Sequence, residues 1–173
     1  MKGPGKQDEL YAHAVAAYGA ALERLARAYE AEADKRNDLL QEIHLALWRS
    51  FHVFEDRCSL RTWIYRVAHN AATSYVVRQS RMNSGLTSLE EVEAAGEIDH
   101  ARDAERRLAL DRIYALIHSL KPLDRQIMLL YLEDMDAPAI AEITGISPGH
   151  VRIQVHRIKA ILNRRFHEGG NRG

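Results

Sequence analysis

The stretch ITGISPGHVRIQVHR, Ile143–Arg157, decides how the chain is read. Gly145 suits the left-handed position that ends a helix. Ser147 is an N-cap residue, and Pro148 stands in the next first turn, where its missing N–H has no helical partner. Just upstream, Asp136 can cap a short helix opened by Ala137-Pro138, and Ala141 is small where two helices must cross closely. The spacing Ala141, Gly145, Val151 therefore predicts a helix-turn-helix, whose second helix can enter a major groove. Val151, Val155, Ile158 and Leu162 recur at helical spacing and form the stripe expected to be buried. The other face carries Gly149, His150, Arg152, Ile153 and His156, flanked by Gln154 and Arg157. An apolar Ile153 where water is expected suits contact with a thymine methyl, and Arg152 can reach a guanine edge or a phosphate. A solvated helix with a stray isoleucine is the plainer alternative.

Outward from this motif, apolar residues repeat with the helical period almost everywhere, and strand signals are nearly absent. The periodicity predicts a helix from about Leu10 to Glu32 with Leu22, Leu25 and Tyr29 on one stripe. A second runs from about Asn37 to Ser50, turning Leu39, Leu40, Ile43 and Leu47 inward. A third begins at an N-cap, Ser59, and continues past Tyr75, burying Leu60, Ile64, Val67 and Ala71. RQSRMNSGLTSLEEVEAAGEIDH, Arg78–His100, then breaks the period with Ser, Asn, Gly and acids, as a linker does. Beyond it, ERRLALDRIYALIHSL and LDRQIMLLYLED read as two more amphipathic helices. The expected fold is all-α: two small helical domains, residues 1–82 and 104–173, joined by an acidic linker, 83–103.

At 173 residues, 46 % hydrophobic and 28 % charged, the chain can bury two small helical cores. No apolar run approaches the ~20 residues of a membrane span, and MKGPGKQDEL lacks an apolar signal core, so a cytoplasmic location is expected. The single cysteine, Cys58, has no disulfide partner and no second thiol for a zinc site. The nine histidines include no pair three or four apart, and neither a phosphate-cradling glycine loop nor a nucleophile elbow occurs. No catalytic residue, metal or cofactor is expected.

The net charge of zero hides a pattern. Arg57–Leu89 holds five basic residues (Arg57, Arg61, Arg66, Arg78, Arg81) and no acid. Ile146 to the C-terminus holds six basic residues against Glu168 alone. Between them, Asn83–Arg112 carries eight acids. Two basic surfaces separated by an acidic connector fit a polyanionic partner, because phosphate binding depends on local charge. On the second helix the outward face shows Asp38, Gln41, Glu42, Leu45, Trp48 and Arg49, a mixture suited to docking on another protein's helices; Leu45 and Trp48 could instead pack under the first helix. On the third helix Thr62, Tyr65, Arg66, His69 and Thr73 are expected outward, with Asn70 beside them and Arg78 and Arg81 following. Aromatic and basic groups interleaved in this way can stack on unpaired bases and neutralise phosphate. Trp63 and Tyr75 lie nearer the buried stripe.

NDLLQEIHLALWRSF, Asn37–Phe51, and LRTWIYRVAHNAATSYVVRQSR, Leu60–Arg81, together resemble region 2 of the extracytoplasmic-function sigma factors of bacterial RNA polymerase. LIHSLKPLDRQIMLLYLEDMDAPAIAEITGISPGHVRIQVHRIKAIL, Leu116–Leu162, is similar to their region 4. The resemblance implies an alternative sigma factor that binds core RNA polymerase and directs promoter recognition. In that reading Asp38, Gln41, Glu42, Leu45 and Trp48 face the coiled coil of the polymerase largest subunit. Tyr65, Arg66, His69, Asn70, Arg78 and Arg81 meet the melted downstream (−10) element. Gly149, His150, Arg152, Ile153, Gln154, His156 and Arg157 meet the upstream (−35) element. The resemblance also implies an anti-sigma factor that covers Asp38–Arg49 or wedges between the domains. His44, His69, Ala139, Ile153 and Gln154 depart from the family's pattern, so consensus promoter elements do not transfer. The alternative is a stand-alone helix-turn-helix regulator, which would bind duplex DNA without polymerase.

Overall fold

The computed structural model describes the backbone of residues 5–83 and 101–170, and the side chains of 5–82 and 104–168. The described residues form seven α-helices and no strand: α1 Lys6–Tyr29, α2 Ala33–Ser50, α3 Leu60–Asn83, α4 Ala101–His118, α5 Pro122–Leu132, α6 Ala137–Thr144 and α7 Pro148–Gly170, with a 3-10 turn at Phe51–Val53. Most of the linker expected at 83–103 lies outside the described residues. Its two edges are helical, since α3 continues through Arg78 to Asn83 and α4 starts at Ala101.

α1, α2 and α3 pack as a three-helix unit. Leu22, Leu39, Ile43, Leu47 and Ile64 are without solvent exposure, and each such side chain contributes about 1.5–3 kcal/mol by leaving water. Ala26, Ala28, Ala68 and Ala72 are also buried, and small residues at these points let the helices approach closely. Ser59 Oγ accepts from the Thr62 N–H at 3.0 Å, the N-cap expected of it. Trp63 packs on Phe54 with ring centroids 5.3 Å apart and donates its indole N–H to Ser50 Oγ at 2.9 Å. The aromatic turn between α2 and α3 is thereby closed. Tyr75 is buried and donates to the Lys35 carbonyl at 3.0 Å.

α4–α7 form the second unit. Ile127, Leu130, Ile140, Val151 and Ile158 make its centre. Asp136 accepts from the Ala139 N–H at 2.9 Å to cap α6. Gly145 closes that helix at φ 79°, a region open to glycine and costly for side chains with a Cβ. Ser147 Oγ then accepts from the His150 N–H at 3.2 Å. Val155 and Leu162 are half-buried and complete the stripe on α7.

The two units are not merely tethered. α3 meets α5 and α6, and α1 meets α4. Ala21 and Tyr65 pack into the second unit's core, while Ile117 and Leu129 pack into the first. Arg24 forms a two-pronged bond to Glu133 at 2.7 and 2.8 Å. Glu133 also accepts from Tyr65 Oη at 3.2 Å, and its carbonyl accepts from Arg61. Arg66 reaches Glu142 at 3.2 Å and Arg27 reaches Asp111 at 2.6 Å. This contact corrects the expectation for α3. Thr62, Tyr65 and His69, expected outward, are 4 %, 2 % and 0 % exposed, whereas Leu60, Val67 and Ala71, expected inside, are half-buried. The physical reason is that α3 is covered on two adjacent stripes, by α1 and α2 on one side and by the second unit on the other.

Candidate nucleic-acid and polymerase interfaces

On α7 the N-terminal half is presented to solvent by the turn chemistry at Gly145 and Ser147. Gly149, His150, Arg152, Ile153 and His156 are all exposed, and Ile153 is 68 % exposed, far more than an isoleucine with a packing role. Gln154 is half-buried, with its amide nitrogen 3.3 Å from His150 Nε2. Arg157 is turned back: one of its guanidinium nitrogens donates to both oxygens of the buried Asp124 at 2.9 Å. That pair anchors α7 on α5, so the first role of Arg157 is to fix the helix. Among the described residues, the exposed half of α7 carries no acid between Pro148 and Arg165, which suits an anionic partner.

On α2, Asp38, Gln41, Leu45, Trp48 and Arg49 face solvent and Glu42 is half-buried. Leu45 and Trp48 are 46 % and 40 % exposed. They do not sink under α1; the Trp48 indole N–H instead donates to Asp8 Oδ1 at 3.0 Å, which holds the ring at the surface. Glu42 accepts from Arg78 at 2.5 Å. An acid expected to face protein and a base expected to face DNA are thus paired across α2 and α3. His44, which departs from the family pattern, sits edge-on to Tyr11 with its Nδ1 3.1 Å from the tyrosine oxygen. Burial lowers its pKa below the ordinary histidine value.

The α3 set separates into three groups. Asn70, Arg78 and Arg81 are exposed. Arg66 and Tyr65 are engaged by the second unit, with burial and then the neighbouring Glu133 carboxylate pushing the Tyr65 phenol up to about 12. His69 belongs to the interior: its Nδ1 meets Tyr29 Oη at 2.9 Å, and burial pushes its pKa down to about 3. A neutral, fully enclosed imidazole cannot stack on a base, so His69 is withdrawn from the DNA-contacting set. Sequence reasoning missed Arg24, Glu133 and Glu142, which hold the units together. No local pattern marks them, because each is defined by a partner at least 76 residues away.

Two family models match the chain in this order: Sigma-70 region 2 over residues 14–82 and Sigma-70 region 4 over residues 110–162. The chain belongs to the extracytoplasmic-function group of sigma-70 factors. Similar proteins include the ECF RNA polymerase sigma-E factor of Haemophilus influenzae, 29 % identical over 75 % of this chain and 73 % of that protein. The RNA polymerase sigma factor SigV of Bacillus subtilis is 26 % identical over 80 % of each. In structure, the chain resembles RpoE of Bartonella quintana, solved with the anti-sigma factor NepR, at a TM-score of 0.71 and 19 % identity over 89 % of this chain and 94 % of that one. CnrH, solved with the cytosolic domain of CnrY, superposes at 0.67 over 91 % and 88 % of the chains, also at 19 % identity. At that identity the likeness speaks for the fold. This sigma factor directs transcription initiation as a DNA-binding partner of RNA polymerase.

Proposed function

We propose that the sigma factor docks on the coiled coil of the polymerase largest subunit through Asp38, Gln41, Leu45 and Trp48, with Glu42 joining once Arg78 releases it. The observation that carries this is the outward acidic and apolar face of α2, on the same chain as the exposed, acid-free N-terminal half of α7. The domains are assigned as 1–82 for polymerase and −10 binding, 83–103 as linker and 104–173 for −35 binding. Asn70, Arg78 and Arg81 meet the −10 element. Tyr65 and Arg66 join them only after the second unit has left α3. Gly149, His150, Arg152, Ile153, Gln154 and His156 meet the −35 element, with Arg157 steering from behind.

In the closed arrangement the free protein is expected to bind promoter DNA poorly. Arg66 is spent on Glu142. Polymerase fixes the separation of the two DNA-reading faces, and two weak contacts then act as one bivalent contact. The exchange of intramolecular contacts for polymerase contacts is a population shift, driven by the difference in affinity for the two states. An anti-sigma factor acts in the opposite sense by covering α2 or stabilising closure. The same reading places the protein in the cytoplasm and gives it no chemistry of its own.

The test is co-elution of the full chain with core RNA polymerase, using Asp38→Arg as the variant, since Asp38 is exposed and Glu42 is already tied to Arg78. Wild type is expected to co-elute and Asp38→Arg to bind at least about tenfold more weakly, a loss of ~1.4 kcal/mol. Wild-type protein that fails to co-elute and shifts duplex DNA alone sinks the proposal in favour of a stand-alone regulator.

A further inference from the structure

The inward line of α7 runs through Val151, Val155 and Ile158, which pack into the second unit's core. Half a turn round the helix, the line furthest from that core runs through Gly149, Ile153 and His156, all exposed. Ile153 therefore stands at the centre of the outward face, where Val151 and Ile158, at 1 % and 0 % exposure, mark the centre of the inward one. A single exposed isoleucine is ordinary in itself. What sets this one apart is its place: the second turn of the second helix of a helix-turn-helix, the part that enters a major groove.

The neighbours of Ile153 decide what it can meet. One turn earlier, Gly149 has no side chain, and a Cβ added there would meet nothing within 4 Å. The surface beside Ile153 is thus bare, and a partner can approach closely. Arg152 and His156 flank it and are exposed and polar. An anchor for a protein partner sits among other apolar side chains, and Ile153 has none on its face. A base edge makes no such demand. Each base calls for its own kind of side chain in the major groove: arginine or lysine for guanine, asparagine or glutamine for adenine, a carboxylate for cytosine, an apolar group for the thymine methyl. No acid stands on the exposed part of this helix among the described residues before Arg165. Gln154 is half-buried with its Oε1 enclosed, so its amide does not present the paired donor and acceptor that read adenine. At the centre of the face the remaining match is isoleucine with thymine.

We infer that Ile153 is a specificity-determining residue, which reads one thymine of the upstream promoter element through its C5 methyl group. Cytosine is disfavoured at the same place, because its N4 amino group would lose water and find no acceptor. The inference deepens, and rests on, the reading that α7 meets the −35 element.

The test uses holoenzyme reconstituted from core RNA polymerase and the full chain as wild type, Ile153→Ser or Ile153→Val. Each selects from duplexes randomised across the upstream element. Wild type and Ile153→Val are expected to enrich thymine at one position where Ile153→Ser shows no preference. Duplexes are then made with deoxyuridine at that position, which keeps every hydrogen bond of thymine and removes only the methyl. Wild-type binding should weaken about fourfold, as expected for one buried carbon, and binding by Ile153→Ser should not change. Equal capture of all three forms by core polymerase shows that the substitutions act at the DNA. Thymine selection identical in wild type and Ile153→Ser overturns the proposal, as does wild-type binding indifferent to the methyl. A wild-type chain that polymerase does not capture marks failure of the docking reading instead. The selection is then run with the free chain, whose α7 carries the same face, and the same outcomes decide. A chain that selects no duplex in either form overturns both.

Discussion

His69 shows how a single side chain can answer to tertiary structure rather than to its sequence neighbours. It sits four residues after Tyr65 and beside Asn70, in what reads as a nucleic-acid face, yet it is fully enclosed and bonded to Tyr29. Burial lowers its pKa from 6.5 to about 3, so between those values the unfolded chain holds a proton that the folded chain refuses. Stability is therefore intact above about pH 6.5 and is lost progressively as pH falls toward 3. His44 and His118 are also lowered, burial being the larger cause in each, and act in the same sense. Glu133 is lowered too, chiefly by its bond from Arg24, but its contribution disappears only below the ordinary carboxylate range. The melting temperature is expected to be flat above pH 7 and to drop by at least about 5 °C between pH 6.5 and 4.5. Thermal melts of His69→Phe should show a shallower drop over that interval; an unchanged slope would refute the assignment.

At the scale of an element, the turn between α6 and α7 sets the direction of the DNA-facing helix. Gly145 adopts φ 79°, and a Cβ added there meets nothing within 4 Å. A substitution at this position thus costs backbone strain and no steric clash. Gly145→Ala is expected to destabilise the protein by about 1 kcal/mol, and Gly145→Asn by clearly less, since asparagine tolerates the left-handed region. Urea denaturation of the two variants checks the order. Equal losses would mean that space, not conformation, governs the site. Asp136, Ser147 and Pro148 belong to the same device, and all were legible from the chain because capping chemistry is local.

At the scale of the whole molecule, closure depends on a small number of polar contacts around an apolar seam. Glu133 is the common acceptor, engaged by Arg24, Tyr65 and, through its carbonyl, Arg61. Its carboxylate is 19 % exposed, so these bonds are partly sheltered from solvent and salt. Glu133→Ala should leave each unit folded and loosen the seam, raising the radius of gyration in small-angle X-ray scattering and speeding amide exchange along α3. Unchanged scattering would mean that Tyr65, Ala21, Ile117 and Leu129 hold the units together without the ion pair.

The chain by itself determined the helices, the two apolar cores and the exposed faces of α2 and α7. Periodicity of 3.6 residues, caps and turn residues act over a few positions, and these features depend on nothing else. It did not determine which side of α3 is covered. Tyr65 and Arg66 have the composition of a surface that meets nucleic acid, and from α3 alone they would face water. Only the second unit, arriving from beyond a long connector, decides that Tyr65 enters a core and Arg66 meets Glu142. Pairings such as Arg24 with Glu133 join residues 109 positions apart, and no local rule selects one acid among many at that distance.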